Sequence, residues 1–142
     1  KVVFTRSITA AGEALTRAVA TGLSMEIGQA EEYKKTYGLS PTALEGKVRA
    51  VLLPVFELIT AEAAKSMEFY RSQSGAEAIK TVILAGGTAG LPELVSELAK
   101  RLGVEVVIGD PFANLAKDNK LATALRGYAP LYGVAVGLSL RE

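Results

Sequence analysis

The sequence predicts an α/β fold in which a small mixed sheet carries an inserted run of helices. Three observations carry that expectation. The apolar run "TVILA" (Thr81–Ala85) ends at a glycine pair, passes into an amphipathic helical pattern, and is followed by a second apolar run, "VEVVIG". From Thr42 to Ser74 the apolar residues recur with the period of a helix. The opening "KVVFTRS" reads as one more short strand, with Val3 and Phe4 among its apolar members.

Composition narrows the function classes. A chain of 142 residues is long enough for one domain, or two small lobes, with a real hydrophobic core. Hydrophobic residues make up 49% against 22% charged, so part of the apolar surface is expected to face an interface. The net charge is +1 and the basic residues are scattered, which argues against nucleic acid as a partner. There is no cysteine and no histidine. Disulfides, Cys/His metal sites, thiol catalysis and histidine acid–base chemistry are therefore excluded. No run reaches the roughly 20 apolar residues of a membrane helix, and no signal peptide is visible. The chain begins directly in a strand pattern without an initiator Met, the expectation for a piece of a larger protein.

Taken in order, the opening strand is followed by Ala11-Gly12 and a helix with Leu15, Ala18, Val19 and Leu23 on one face. Ser24 is expected to cap a second, more solvated helix, "SMEIGQAEEYKKTYG". There Glu31 can pair with Lys35 one turn on, and Gly38 is the expected stop. The long pattern 42–74 contains Pro54, which should kink the helix or begin a new one. After the Thr81–Ala85 strand and its glycines, Pro92 suits the first turn of a helix carrying Leu94, Val95, Leu98 and Leu102, and Gly103 ends it. A strand, a short helix and a strand in succession imply a parallel crossover. "YAPLYGVAVGLSL" reads as a short apolar helix whose Gly133 and Gly137 allow close packing on a neighbour.

The loop "VILAGGTAGLP" (Val82–Pro92) invites three readings. The plainest is a tight turn between strand and helix. The second is a dinucleotide fingerprint, since Ala85, Gly87 and Gly90 match all but the first glycine of G-x-G-x-x-G, and Asp110 closes the next strand. It fails because the turn-making first glycine is an alanine, Pro111 redirects the chain after Asp110, and only one parallel crossover is visible. The third is the adenosine loop of the actin-like ATPases: an apolar strand, Gly-Gly, small residues, then a helix opened by proline. "VILAGGTAGLP" resembles that motif at every position.

The rest of the chain resembles one family of that class. "VVFTRSITAAGEALTRAVA" resembles the third strand of the second actin-like lobe and its glycine-led helix, while "VLLPVFELITAEAAKSMEFYRSQSG", "GDPFANL" and "YAPLYGVAVGLSLRE" resemble the type IV pilus assembly protein PilM family, whose C-terminal lobe the chain matches in order and spacing. The resemblance implies a partial actin-like (ribonuclease-H-like) lobe over residues 1–142, with a mainly helical insertion at 24–74 and sheet-containing parts at 1–23 and 75–142. It implies ATP as ligand, with Mg²⁺ held by groups outside this stretch. It also implies a cytoplasmic scaffold, peripheral to the inner membrane, that docks a membrane-bound pilus alignment protein through a surface mostly in another lobe.

Carried over residue by residue, Gly86, Gly87 and Thr88 would face the adenosine, while Leu91 and Pro92 would shape the far wall of the loop. Glu68 and Arg71 are the polar candidates on the helix bordering the base, and Gly12 would support the phosphate side. Phe69 and Tyr70 read as core, and Asp110 and Asn114 as turn and cap residues. No constellation here supplies the metal ligands, phosphate-neutralising groups and water-orienting residue of phosphoryl transfer, so no catalytic residue is assigned. The full-length protein is expected to be at most a weak ATPase. The alternatives are an interaction module with a vestigial nucleotide loop, or another actin-like ATPase such as a cell-division filament protein. The family resemblance also places two further strands between the opening strand and Thr81–Ala85. Their absence would leave an open gap in the sheet, and the expected remedy is strand exchange or edge pairing in a homodimer, or else completion by the rest of a longer polypeptide.

Overall fold

Leu15, Thr16, Val19 and Ala20 lie one turn apart and give helix α1 (Gly12–Gly22) a buried side. The structure, a computed structural model, describes residues 2–8, 12–73, 75, 77–113, 125 and 128–140. Helix α1 does not lead to a cap at Ser24. Ser24 takes the left-handed conformation (φ +53), while Met25 N–H bonds Ala20 O and Ser24 N–H bonds Thr21 O. This is the Schellman pattern, with a serine where glycine is commonest. Helix α2 (Ile27–Tyr37) then starts from Glu26 without any side-chain cap. It buries only Ala30 and Lys34, and ends at Gly38 as expected.

A turn at Leu44, Glu45 and Gly46, all with positive φ, leads into helix α3 (Lys47–Arg71). Pro54 neither ends this helix nor starts another. Pro54 and Ala50 both lie on the exposed side, so the carbonyl that loses its N–H partner faces water. Helices α1 and α3 approach so closely at Gly22 that a Cβ there would lie 2.5 Å from Val51 Cγ1.

Strand β1 (Thr81–Leu84) pairs in parallel with β2 (Glu105–Ile108), from Thr81 opposite Glu105 to Leu84 opposite Ile108. Between them runs helix α4 (Leu94–Leu102), closed by Gly103 at φ +66. After β2, the Asp110 carboxylate accepts the Phe112 N–H at 2.9 Å, the turn role expected of it. Asn114 lies outside the described residues. A 3₁₀ turn at Ala129–Tyr132 opens helix α5 (Gly133–Ser139). Among the described residues close packing at its glycines is not seen: a Cβ on Gly133 would make only an ordinary 3.9 Å contact with Ala85, and one on Gly137 would meet none of them.

One core joins Leu15 and Val19, Ala30, Leu39, Val48, Leu52 and Phe56, Leu91, Leu94 and Leu98, and Val106. The helices of 24–74 thus share their buried side with α1, α4 and β2.

The opening segment departs from expectation. Residues 2–8 form no strand, and among the described residues the sheet is a parallel pair rather than a mixed sheet. Side chains explain where the segment lies. The Phe4 ring packs 5.0 Å from Phe69, and Arg6 pairs with Glu62, both on the C-terminal half of α3. Held there by side chains, the segment has no strand hydrogen-bonded beside it among the described residues, and a strand forms only as part of such a ladder. Phe69, expected in the core, is 49% exposed in this surface pair.

Candidate functional site

The glycine loop is shaped by backbone conformation before any ligand is considered. Gly86 has φ +93 and ψ 176, a region essentially reserved for glycine. Its N–H donates to Pro130 O at 2.8 Å, and its carbonyl receives the Ala89 N–H at 3.1 Å. Gly87 has a close neighbour, since a Cβ there would lie 3.3 Å from Cδ2 of the exposed Leu131 side chain, which would have to shift by a few tenths of an ångström. Ala89 and Leu91 are buried and pin the loop to the core. Thr88, just before them, turns toward α1. Its Oγ1 lies 2.7 Å from the place a Cβ on Gly12 would occupy, so α1 begins with glycine where the loop crosses it.

Helix α2 supplies the opposite wall. Lys34 is buried, and an ammonium removed from water must have all three N–H groups satisfied. It has three acceptors: Glu31 Oε2 at 2.6 Å, Thr16 Oγ1 at 2.9 Å and Gly12 O at 3.2 Å. Lys35 reaches the other Glu31 oxygen at 3.1 Å. Partial burial pushes the Glu31 carboxyl up, but hydrogen bonds from Lys34, Thr16 and Lys35 and the Lys34 charge outweigh it. The net result is a pKa of about 2. Glu31 is therefore a fixed anion, set between two cations and partly open to solvent.

These walls enclose a cleft of about 670 Å³, lined by Gly12, Thr16, Glu31, Lys35, Gly87 and Thr88 among others. That volume lies in the range of sites for small molecules and cofactors. Of the residues predicted from sequence, Gly12, Gly87 and Thr88 line it. Gly86 sits at the base of the loop. Leu91 is buried beneath it, and Pro92 packs on Gly38. Glu68 and Arg71 are not brought to this cleft. The part of α3 near the loop is Phe56 and Ile59, which share an apolar cavity with Thr88 and Gly12. Glu68 lies nine residues further, about 13 Å along the helix axis.

Sequence reasoning missed Thr16, Glu31, Lys34 and Lys35 as a group. One signal was present, a carboxylate three and four residues before two lysines, which places both cations over one anion on a helix face. That this face turns inward was not visible. Among the described residues no acidic cluster could hold a metal ion, and no helix is long and apolar enough to cross a membrane.

Comparison with known proteins bears on the whole chain. The profile of a family described as type IV pilus assembly protein PilM matches residues 1–142. Among solved structures, a chain of a PilM-PilN type IV pilus biogenesis complex superposes with a TM-score of 0.81 and 32% sequence identity over 96% of this chain. This chain spans 38% of that one.

Proposed function

The chain belongs to the type IV pilus assembly protein PilM family, whose actin-like α/β fold it shares, and from that premise we propose that the cleft between the glycine loop and α2 binds ATP. The observation that carries the reading is the convergence of two independent elements on one cavity of nucleotide size. The loop Gly86–Gly90 offers a close, side-chain-poor backbone surface suited to a nucleoside face. Glu31 offers carboxylate lone pairs to ribose hydroxyls. Lys35, 66% exposed, offers a cation near the phosphate side. Lys34 has no spare proton to donate and serves to hold Glu31 and α1 in place.

ATP would contribute charge and binding energy that favour one arrangement of the protein, the property of a switch or scaffold rather than of an enzyme. The family premise and the complex that the matched structure represents support a role as cytoplasmic scaffold for type IV pilus assembly. In that role the protein docks an inner-membrane pilus alignment partner, through a surface lying mostly outside these residues, and reaches the membrane through that partner.

The test is nucleotide titration of the full-length protein by calorimetry. Gly87→Val, which places a branched side chain between Leu131 and the cleft, should weaken ATP binding at least tenfold, and Glu31→Gln should weaken it less. Glu68→Ala should leave it unchanged. Equal affinities in wild type and Gly87→Val, or no binding at all, would turn the reading toward an interaction module with a vestigial loop.

A further inference from the structure

The two walls of the cleft come from segments 54 residues apart in sequence, yet they meet a second time outside it. Helix α2 ends at Gly38, which is buried and has φ +47 and ψ −131, a conformation that side-chain-bearing residues avoid. A Cβ at Gly38 would lie 2.7 Å from both Cδ and O of Pro92 and 2.9 Å from its N, so this glycine is required twice, for backbone conformation and for space. Immediately after it, Leu39 N–H donates to Pro92 O at 3.0 Å, and the Leu39 side chain is wholly buried.

Pro92 belongs to the turn that ends the glycine loop. Leu94 N–H closes that turn on Leu91 O at 3.1 Å, with proline in second place and Glu93 at φ +61, ψ 5 in third. Proline followed by a positive φ is the type II pattern, in which the middle peptide is flipped relative to type I. Here the flipped peptide is that of Pro92, whose carbonyl meets α2. Two residues of positive φ, one of them a left-handed glutamate that must be held in this conformation, thus flank a single hydrogen bond.

We infer that the Gly38–Pro92 contact is a clasp that fixes helix α2 to the glycine loop, so that the two walls of the cleft move as one unit, with Gly38 as a positioning residue for nucleotide binding. This rests on the nucleotide reading only for its consequence. The mechanical coupling stands on the contacts themselves. Lys34, one turn before Gly38, ties α2 to the start of α1, so the clasp also closes a ring of three segments around the cleft: Gly12–Thr16, Glu31–Gly38 and Gly86–Pro92.

The experiment compares Gly38→Ala with Gly103→Ala in the full-length protein. Gly103 also has a positive φ, but open space where a Cβ would go, and it lies at the far end of α4. It therefore imposes backbone strain without touching the clasp. Hydrogen exchange without ligand is the first readout. Gly38→Ala should raise exchange of the Ala89 and Leu91 amides at least tenfold, and Gly103→Ala should not. ATP titration is the second, with a tenfold or greater loss expected for Gly38→Ala and less than twofold for Gly103→Ala. Pro92→Ala, which keeps the carbonyl and removes the ring, should change both in the same direction but less, and serves if Gly38→Ala does not fold. Unchanged loop exchange in the folded Gly38→Ala protein, or in Pro92→Ala where it stands in, would overturn the clasp. Absence of ATP binding in wild type, with loop exchange still raised, would overturn the nucleotide reading and leave the clasp standing.

Discussion

The helical side of the molecule and its sheet side are built from equally apolar stretches and end in opposite states. On the helical side Val19, Leu39, Val48, Leu52 and Phe56 are almost completely withdrawn from solvent, and even the buried Lys34 ammonium has a full set of acceptors. On the sheet side no residue of β1 is buried, Ile83 is 68% exposed, and Val134 and Leu138 on α5 are 77% and 63% exposed. What differs is the number of neighbours. Helices α1, α2 and α3 satisfy one another, whereas β1 has a strand partner on one edge only among the described residues. Hydrophobic sequence specifies that a face wants cover; it does not supply the cover.

The sharpest break of this comparison pairs two truncations. Leu52→Ala should cost about 2–5 kcal/mol of unfolding free energy, because it empties a fully enclosed site. Ile83→Ala in the 142-residue chain should stay within about 0.5 kcal/mol, the range for exposed positions. Chemical denaturation measures both. A large cost for Ile83→Ala, accompanied by a dimer in light scattering, would mean that a second copy covers β1. A large cost only in the full-length protein would assign that cover to the rest of the polypeptide.

A second prediction concerns polar order on the helical side. Lys34→Met should destabilise by about 2 kcal/mol, since it leaves Glu31, Thr16 and the Gly12 carbonyl without their shared donor, and Glu31 keeps some access to water. Arg6→Met, at the exposed pair with Glu62, should cost well under about 1 kcal/mol. Comparable losses from the two would remove the distinction drawn between the regions.

The smallest effect is in pH. Glu31 has its folded pKa depressed to about 2 from a reference of 4.5, so its contribution is fully present above about pH 4.5 and is lost as pH falls toward 2. The urea midpoint of Glu31→Gln should therefore lie below that of wild type at pH 6, with the gap narrowing between pH 4.5 and 2. A gap that stays constant across this window would show that the carboxylate is not held by Lys34 and Lys35 as described.

Legibility followed the range of the interactions. Periodicity located α1, α3, α4, β1 and β2, because each is a local pattern with one apolar face. Gly38 and Gly103 were readable as stops for the same reason. Ser24 was misread, since a capping serine and a left-handed serine look alike until the preceding carbonyls are assigned. Val2–Ser7 has the composition of a strand, but a strand exists only beside another, and here side chains bind it to α3.

The glycine loop shows where the boundary lies. By itself the sequence determined that a strand would stop at Gly86 and Gly87 and hand over to a helix, because only glycine adopts the backbone found at Gly86. It also placed a carboxylate and two lysines on one stripe of α2. Only the tertiary structure decided that Lys34 turns inward to Gly12, 22 residues away, that Gly38 lands on Pro92, 54 residues away, and that Glu68 ends up remote from the cleft. Such contacts depend on how helices are stacked after they form, and local propensity carries no term for that.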